Sequence, residues 1–227
     1  MYRENIGEFV KEKDARLYLP KNGGLYEHVR NLLPEIGLDK STGRVTKGNE
    51  QIGKLEIKLT RGEDIPQRVI DNINKGIPAY GLTGDDLLDE FLLRSQANGG
   101  KESPLKKLNT YDWFDPNAEF FRPSLCLMNS TGTWEGFGNN TDIAVNSKYL
   151  LTSTKYLTER FGQKGISYKT SVYIGDTEDT VAEGTNAGCI EIVYRGNKSE
   201  ASAKSRNKLK IVENLRFTDI VLIGAKE

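Results

Sequence analysis

The stretch "GKLEIKLTRGEDIPQRVIDNINKGIPAYGLTGDDLLDEFLLR", Gly53 to Arg94, decides the fold. Its first eight residues alternate apolar and polar side chains with period two, the mark of a half-buried strand. From Glu63 to Gly76 the period changes. Ile65, Val69, Ile70 and Ile73 fall on one helical face, Pro66 stands in the first turn, and Gly76 marks the end. "IPAYGLT" then reads as a short strand closing at Thr83. "GDDLLDEFLLR" opens with two acidic residues, which complement the positive end of a helix, and continues with a Leu/Phe face. Strand, helix, strand, helix in one run argues for an α/β layer fold.

The same alternation extends outward. Before the stretch, "RLYLP" (Arg16 to Pro20) reads as a strand. "GLYEHVRNLLPEIG" follows, with Leu25, Val29, Leu32, Leu33 and Ile36 at helical spacing. After it, "SQANGGKESP" (Ser95 to Pro104) is polar and glycine-rich, a loop. "FFRPSLCLMNS" (Phe120 to Ser130) reads as a strand entering a second unit, and "STGTWEGFGNNTD" as a further loop. From Lys148 the expected order is a strand "KYLLTS", a helix "TKYLTERFGQKG", a strand "ISYKTSVYI", a helix "DTEDTVAEG" and a strand "CIEIVYR". A polar helix and the strands "KLKIVEN" and "RFTDIVLIG" complete the chain. The expected architecture is therefore two α/β lobes, of mixed sheets flanked by helices. Residues 1–119 and 205–227 form the first lobe and residues 120–204 the second, inserted into it. A cleft between lobes is a favoured ligand site.

Composition narrows the function. The 227 residues carry 32 Lys and Arg against 32 Asp and Glu. With no net charge there is no general attraction to nucleic acid or to an anionic membrane, so any anion site must be local. No apolar run approaches the roughly 18 residues of a spanning helix, and the charged N-terminus has no signal-peptide core. Cys126 and Cys189 lie in apolar runs and read as buried thiols, which with the missing signal points to the cytoplasm. A single histidine, His28, excludes a multi-histidine metal site.

Four strand-to-helix junctions carry loop chemistry suited to anions, because backbone N–H groups at a helix start can point at a phosphate. "LPKNGGL" offers Lys21 beside Gly23 and Gly24. "TRGEDIP" offers Arg61, with Asp64 and Pro66 accounted for by helix capping. "LTGDD" places Thr83 and Gly84 before a helix, where capping is again a sufficient account. The fourth, "CIEIVYRGNKSEASAK" (Cys189 to Lys204), ends a β-branched run at Gly196 among Arg195, Asn197, Lys198 and Ser199. It lacks the P-loop spacing and reads either as a phosphate cradle or as a basic turn. "GDTEDTVAEG" gathers Asp176, Glu178, Asp179 and Glu183, a solvated helix face or a site for sugar hydroxyls or magnesium. Trp113 and Trp134 read as core aromatics or as base-stacking residues.

Taken in order, these junctions resemble the ATP phosphoribosyltransferase family, which carries out the first step of histidine biosynthesis. The most specific part is "RGEDIPQRVIDNINKGIPAYGLTGDDLLDE", through Arg61, Asp64, Ile65, Pro66, Gly81, Thr83 and Gly84. "TSTKYLTERFGQKGISYKTSVYIGDTEDTVAEG" resembles the family's Thr-x-Tyr helix and the acidic segment beyond it, through Thr154, Lys155, Tyr156, Gly175 and Glu178. The stretch from Cys189 falls where the family keeps its phosphoribosyl pyrophosphate loop, but departs from it. Glu191 replaces aspartate, Arg195 and Lys198 replace two threonines, Ala187 replaces aspartate, and Gly24 replaces an arginine of the first loop.

The resemblance implies a glycosyltransferase that moves phosphoribose from phosphoribosyl pyrophosphate to N1 of ATP, assisted by magnesium. It implies that Lys21 and Arg61 meet phosphates or the nucleotide, with Asp64, Thr83, Gly84, Thr154, Lys155 and Tyr156 also lining the site. Glu178 and Glu191 would hold ribose hydroxyls or magnesium. Backbone N–H groups of Gly196 to Ser199, with Arg195 and Lys198, would receive the 5′-phosphate. A chain ending soon after "DIVLIG" corresponds to the short family members, which lack a C-terminal regulatory domain. It is expected to act as a homo-oligomer with a separate regulatory subunit. The departures keep open a diverged, non-catalytic relative that binds a nucleotide or another anion.

Overall fold

The computed structural model describes residues 15–21, 23–36, 50–52, 55–99, 102–116, 118–175, 177–194 and 208–225. In chain order the elements begin β1 (Ala15–Pro20), α1 (Gly23–Leu32), β2 (Glu50–Ile52), β3 (Leu55–Thr60), α2 (Ile65–Ile73), β4 (Ala79–Gly84), α3 (Asp85–Ala97) and β5 (Leu105–Tyr111). They continue with β6 (Ser124–Asn129), β7 (Thr141–Asn146), α4 (Leu150–Lys164), β8 (Tyr168–Tyr173), α5 (Glu178–Ala182), β9 (Gly188–Val193), β10 (Lys210–Phe217) and β11 (Ile220–Ala225).

The described residues fall into two compact units, one up to Asp112 and resumed from Asp219, the other from Trp113 to Thr218. The first is a six-stranded sheet in the order β2-β3-β1-β4-β11-β5. Its strands β3, β1 and β4 run parallel, and β11 is antiparallel to both β4 and β5. Helix α2 lays Ile65 and Val69, four residues apart on one face, on a core with Tyr18, Ala79, Leu88, Leu105, Val221 and Ile223. It comes close because β4 offers Gly81 beneath it. A methyl group there would collide with Ile65 Cγ2 and lie 3.1 Å from Val69 Cγ2.

The second unit is a five-stranded sheet in the order β10-β6-β9-β7-β8. Strands β8, β7 and β9 are parallel, whereas β6 is antiparallel to β9 and β10 antiparallel to β6. Cys126, Met128, Ala144, Val181, Cys189, Val193 and Leu209 form one core cluster. Both cysteines are free, buried thiols, as their apolar setting implied. Trp113 packs its ring 5.1 Å from that of Tyr194, and Trp134 lies 5.2 Å from Phe161. Trp113 is buried in the core, whereas Trp134 is half-buried.

The structure corrects the sequence reading at several points. "KYLLTS" is not a strand. The strand before that helix is β7, "TDIAVN", and the chain becomes helical at once, through a short turn at Ser147–Tyr149. Buried Ser153, Leu157 and Phe161 recur every four residues, so the helical period already holds at Ser153. The short apolar run at Tyr149 to Leu151 is one that periodicity alone cannot assign. Helix α3 runs on through Ala97, into the segment read as a loop, and β5 follows it.

The boundary read at residue 205 also shifts. β10 pairs with β6 in the second sheet, so residues 210–217 belong there rather than with the first unit. The chain changes unit between two adjacent residues. Thr218 N–H donates to the Pro123 carbonyl, whereas Asp219 is clamped by Asp85, which donates its N–H to the Asp219 carbonyl and accepts the Asp219 N–H on Oδ1.

Candidate functional site

In an open α/β sheet, ligands bind beyond the carboxyl ends of the parallel strands, where loops turn into helices. In the second unit that edge is formed by Asn146 at the end of β7, Ile174 and Gly175 after β8, and Glu191 in β9. Glu191 is buried although it is a carboxylate. Burial of such a group requires donors, and they are present. Asn146 Nδ2 donates to Glu191 Oε2 at 2.9 Å, Thr177 Oγ1 donates to the same oxygen at 3.3 Å, and the Ile192 N–H donates to Oε1 at 2.9 Å. Asn146 Nδ2 also donates to the Gly175 carbonyl at 2.8 Å, while its Oδ1 accepts the Lys148 N–H at 3.0 Å. One side chain therefore ties together the ends of β7, β8 and β9 and starts the helical stretch that follows β7.

Glu178, buried at the start of α5, follows Thr177 directly. Its carboxylate and that of Glu191 both act on Cys189. The Cys189 thiol is pushed well above its ordinary range, first by burial, then by the Glu191 and Glu178 charges, with a Thr177 hydrogen bond opposing. Glu178, Glu191, Thr177, Cys189 and Asn146 thus form one buried polar cluster at the carboxyl edge of the sheet.

The first unit has a matching edge. β1, β3 and β4 end at Pro20, Thr60 and Gly84, which brings Lys21 and Arg61 side by side and exposed. The Lys21 N–H donates to the Thr60 carbonyl at 2.7 Å, fixing the turn. Thr83 is fully buried, and its Oγ1 donates to the Gly62 carbonyl at 2.9 Å, so its hydroxyl holds the loop. Gly62 is buried, and a Cβ there would lie 2.9 Å from Leu87 Cδ1, so that side chain would have to shift to admit one. Gly84 is buried at the N-cap of α3 with φ −70 and ψ 143.

The expected cap by Asp64 is not made. Asp64 has helical dihedrals, continuous with the turn Gly62–Asp64, and forms no side-chain cap bond. Its side chain is exposed next to Arg61 and Glu63 in the chain.

Thr154, Lys155 and Tyr156 do not join either edge. They lie in the second turn of α4, Thr154 and Lys155 exposed, and the Thr154 hydroxyl is spent on the Leu150 carbonyl at 2.7 Å. The residues that stand at the end of the preceding strand are Ser147, Lys148 and Tyr149. Sequence reasoning missed these three, together with Asn146 and Thr177. A signal was available in Ile143 and Val145, two β-branched residues of alternating spacing followed at once by Asn-Ser, a strand end and helix cap. Arg195, Gly196, Asn197, Lys198 and Ser199 lie outside the described residues, as does Asp176.

For magnesium, the described residues hold no group of three or more His, Cys, Asp or Glu side chains able to bind a metal ion. Both Glu191 oxygens already accept protein donors. No helix among the described residues is long and apolar enough to cross a membrane.

No family model matches the chain. Among solved structures, it is similar to the ATP phosphoribosyl transferase (HisG:HisZ) complex from Thermotoga maritima. The match is at 17% identity over 93% of this chain and 87% of that one, with a TM-score of 0.60. It is also similar to the periplasmic aliphatic sulphonate binding protein SsuA from Escherichia coli, at 13% identity over 93% of this chain and 61% of that one, with a TM-score of 0.53. At such identities the likeness is one of fold. The chain has the two-lobed α/β fold that these transferases and solute-binding proteins share.

Proposed function

We propose that the chain is a phosphoribosyltransferase of the ATP phosphoribosyltransferase type. The observation that carries this reading is the buried pair Glu178 and Glu191, set at the carboxyl ends of β7, β8 and β9 just before the basic segment from Arg195. A carboxylate held by fixed donors is suited to accept hydrogen bonds from a pair of sugar hydroxyls. The segment from Arg195 to Ser199 follows two residues after β9 and would receive the 5′-phosphate of the same sugar, since charge-assisted contacts to phosphate are strong. Lys21 and Arg61 would meet the nucleotide phosphates.

In this reaction N1 of ATP attacks C1 of phosphoribosyl pyrophosphate. The new bond is N1–C1, the C1–oxygen bond breaks, and pyrophosphate departs with that bond's electron pair. The protein's part is to orient two substrates and to stabilise charge on the leaving group. That needs no nucleophilic side chain, in keeping with a thiol at Cys189 that is buried and neutral. Magnesium would enter on the pyrophosphate and take most of its ligands from substrate and water, as that ion usually does. A separate regulatory subunit, as the two-component neighbour hints, and self-association of the chain belong to the same reading.

A second reading is a non-catalytic binder of an anionic small molecule. It is favoured by the cations at 195 and 198 and by the likeness to a sulphonate-binding protein. Incubation with ATP, phosphoribosyl pyrophosphate and magnesium, followed by the absorbance of phosphoribosyl-ATP, separates the two. Product formation that is lost in Glu191→Gln supports the transferase. Nucleotide binding without product, with a regulatory subunit present, overturns it in favour of the binder.

A further inference from the structure

The edge of a sheet presents a row of unpaired backbone N–H and C=O groups. Proteins that stay single blunt such edges with short strands, charged side chains or broken register. Among the described strands, three of the four edges are blunted. β2 has only three residues. β5 carries Lys106 and Lys107 and shifts register against β11. β10 carries Lys210, Glu213 and Arg216 and shifts register twice against β6. β8 is different. Its residues Tyr168–Tyr173 pair with β7 in unbroken register, include no proline and hold one charge, Lys169. On this edge Val172 is 49% exposed, and Ile174, just past the strand, is 96% exposed.

The sequence of this edge fits itself. Two antiparallel copies related by a two-fold axis at Ser171 set Tyr168 opposite Ile174 of the second copy, Thr170 opposite Val172 and Lys169 opposite Tyr173. Each copy's Ile174 is then covered by an aromatic ring and its Val172 by a β-branched neighbour, pairs that stabilise sheets. Lys169 never faces its own copy, and 32 cationic against 32 anionic side chains leave no net repulsion between chains. We propose that two copies of the chain join edge to edge through β8, antiparallel and centred on Ser171, in one continuous sheet. Self-association is part of the transferase reading above, but this surface follows from the strand itself and holds whatever the chain catalyses.

Sedimentation velocity on the full chain reads the mass. The wild-type chain is expected to be a dimer, and Val172→Lys, which places a charge on the edge, to dissociate it. The axis makes each substitution count twice, so the dissociation constant should rise about tenfold or more. Should that variant fail to fold, Ile174→Lys makes the same test at a side chain almost wholly exposed. Cross-linking reads the register. Under mild air oxidation Ser171→Cys should give a disulfide-linked dimer, because residues opposite each other at the axis have Cβ atoms about 4.5–5.5 Å apart, close to disulfide geometry. Lys169→Cys, four residues out of register with its own copy, should not. The native Cys126 and Cys189 are buried and take no part. A wild-type chain still monomeric at about 100 μM, or a mass that neither lysine variant lowers, overturns the interface. Linkage at 169, or none at 171, overturns the antiparallel register.

Discussion

Cys189 shows how one residue can be placed beside a site and still be kept out of its chemistry. Burial and two carboxylates favour the neutral thiol, and the thiolate is the nucleophile. The folded thiol holds its proton at a pH where the unfolded chain, with an ordinary pKa of about 8.5, has lost it. The stabilising contribution is therefore complete below the unfolded value and declines as pH rises beyond it. Chemical denaturation from pH 7 to 10 should show stability falling above about pH 8.5, and Cys189→Ala should flatten that decline. Iodoacetamide at pH 8.5 should leave Cys189 untouched in the native protein and modify it fully in denaturant, as read by peptide mass spectrometry. Native labelling faster than global unfolding would contradict this account.

At the scale of elements, α4 shows how local chemistry fixes an end and packing fixes a face. It stops at Gly165, whose φ of 66 is open to glycine at little cost. It is held by Phe161, fully buried, with the rings of Trp134, Phe137 and Tyr168 each 5.2 Å away. Phe161→Ala should cost about 3–5 kcal/mol, the usual range for deleting a buried ring, measured by urea denaturation. A loss under about 1 kcal/mol would mean that the neighbouring rings close the gap.

Elements were legible in the sequence where period and punctuation agreed. The run from β3 to α3 is such a case, with its switch from period two to helical spacing and its Pro66 and Gly76. β7 was not legible, because Gly136, Gly138 and the two asparagines before it read as a loop through Asp142, which took the first two residues of the strand. Thr154–Tyr156 came from the likeness to the Thr-x-Tyr helix, whereas the strand end stands at Ser147–Tyr149. Lys21 and Arg61 follow strand ends that the pattern marks and Glu178 opens a helix, so their places were legible, whereas Glu191 lies within β9. Asn146 and Thr177 escaped because their role depends on contacts across strands, 45 and 14 positions away from Glu191, which no local pattern records.

For the whole molecule, charge balance sets the solution behaviour. Equal numbers of cationic and anionic side chains give a sequence pI of about 6.7. Solubility at low salt should pass through a minimum near that pH and rise on either side, because repulsion between copies vanishes where net charge does. A turbidity series across pH checks this, and a monotonic curve would contradict it. Topology sets the order of assembly. β11 lies between β4 and β5 although it follows every other described strand in the sequence. On a ribosome every strand of the five-stranded sheet leaves the exit tunnel before β11 does. That sheet can close while the six-stranded sheet still lacks an interior strand, so the first unit must wait for residues 220–225.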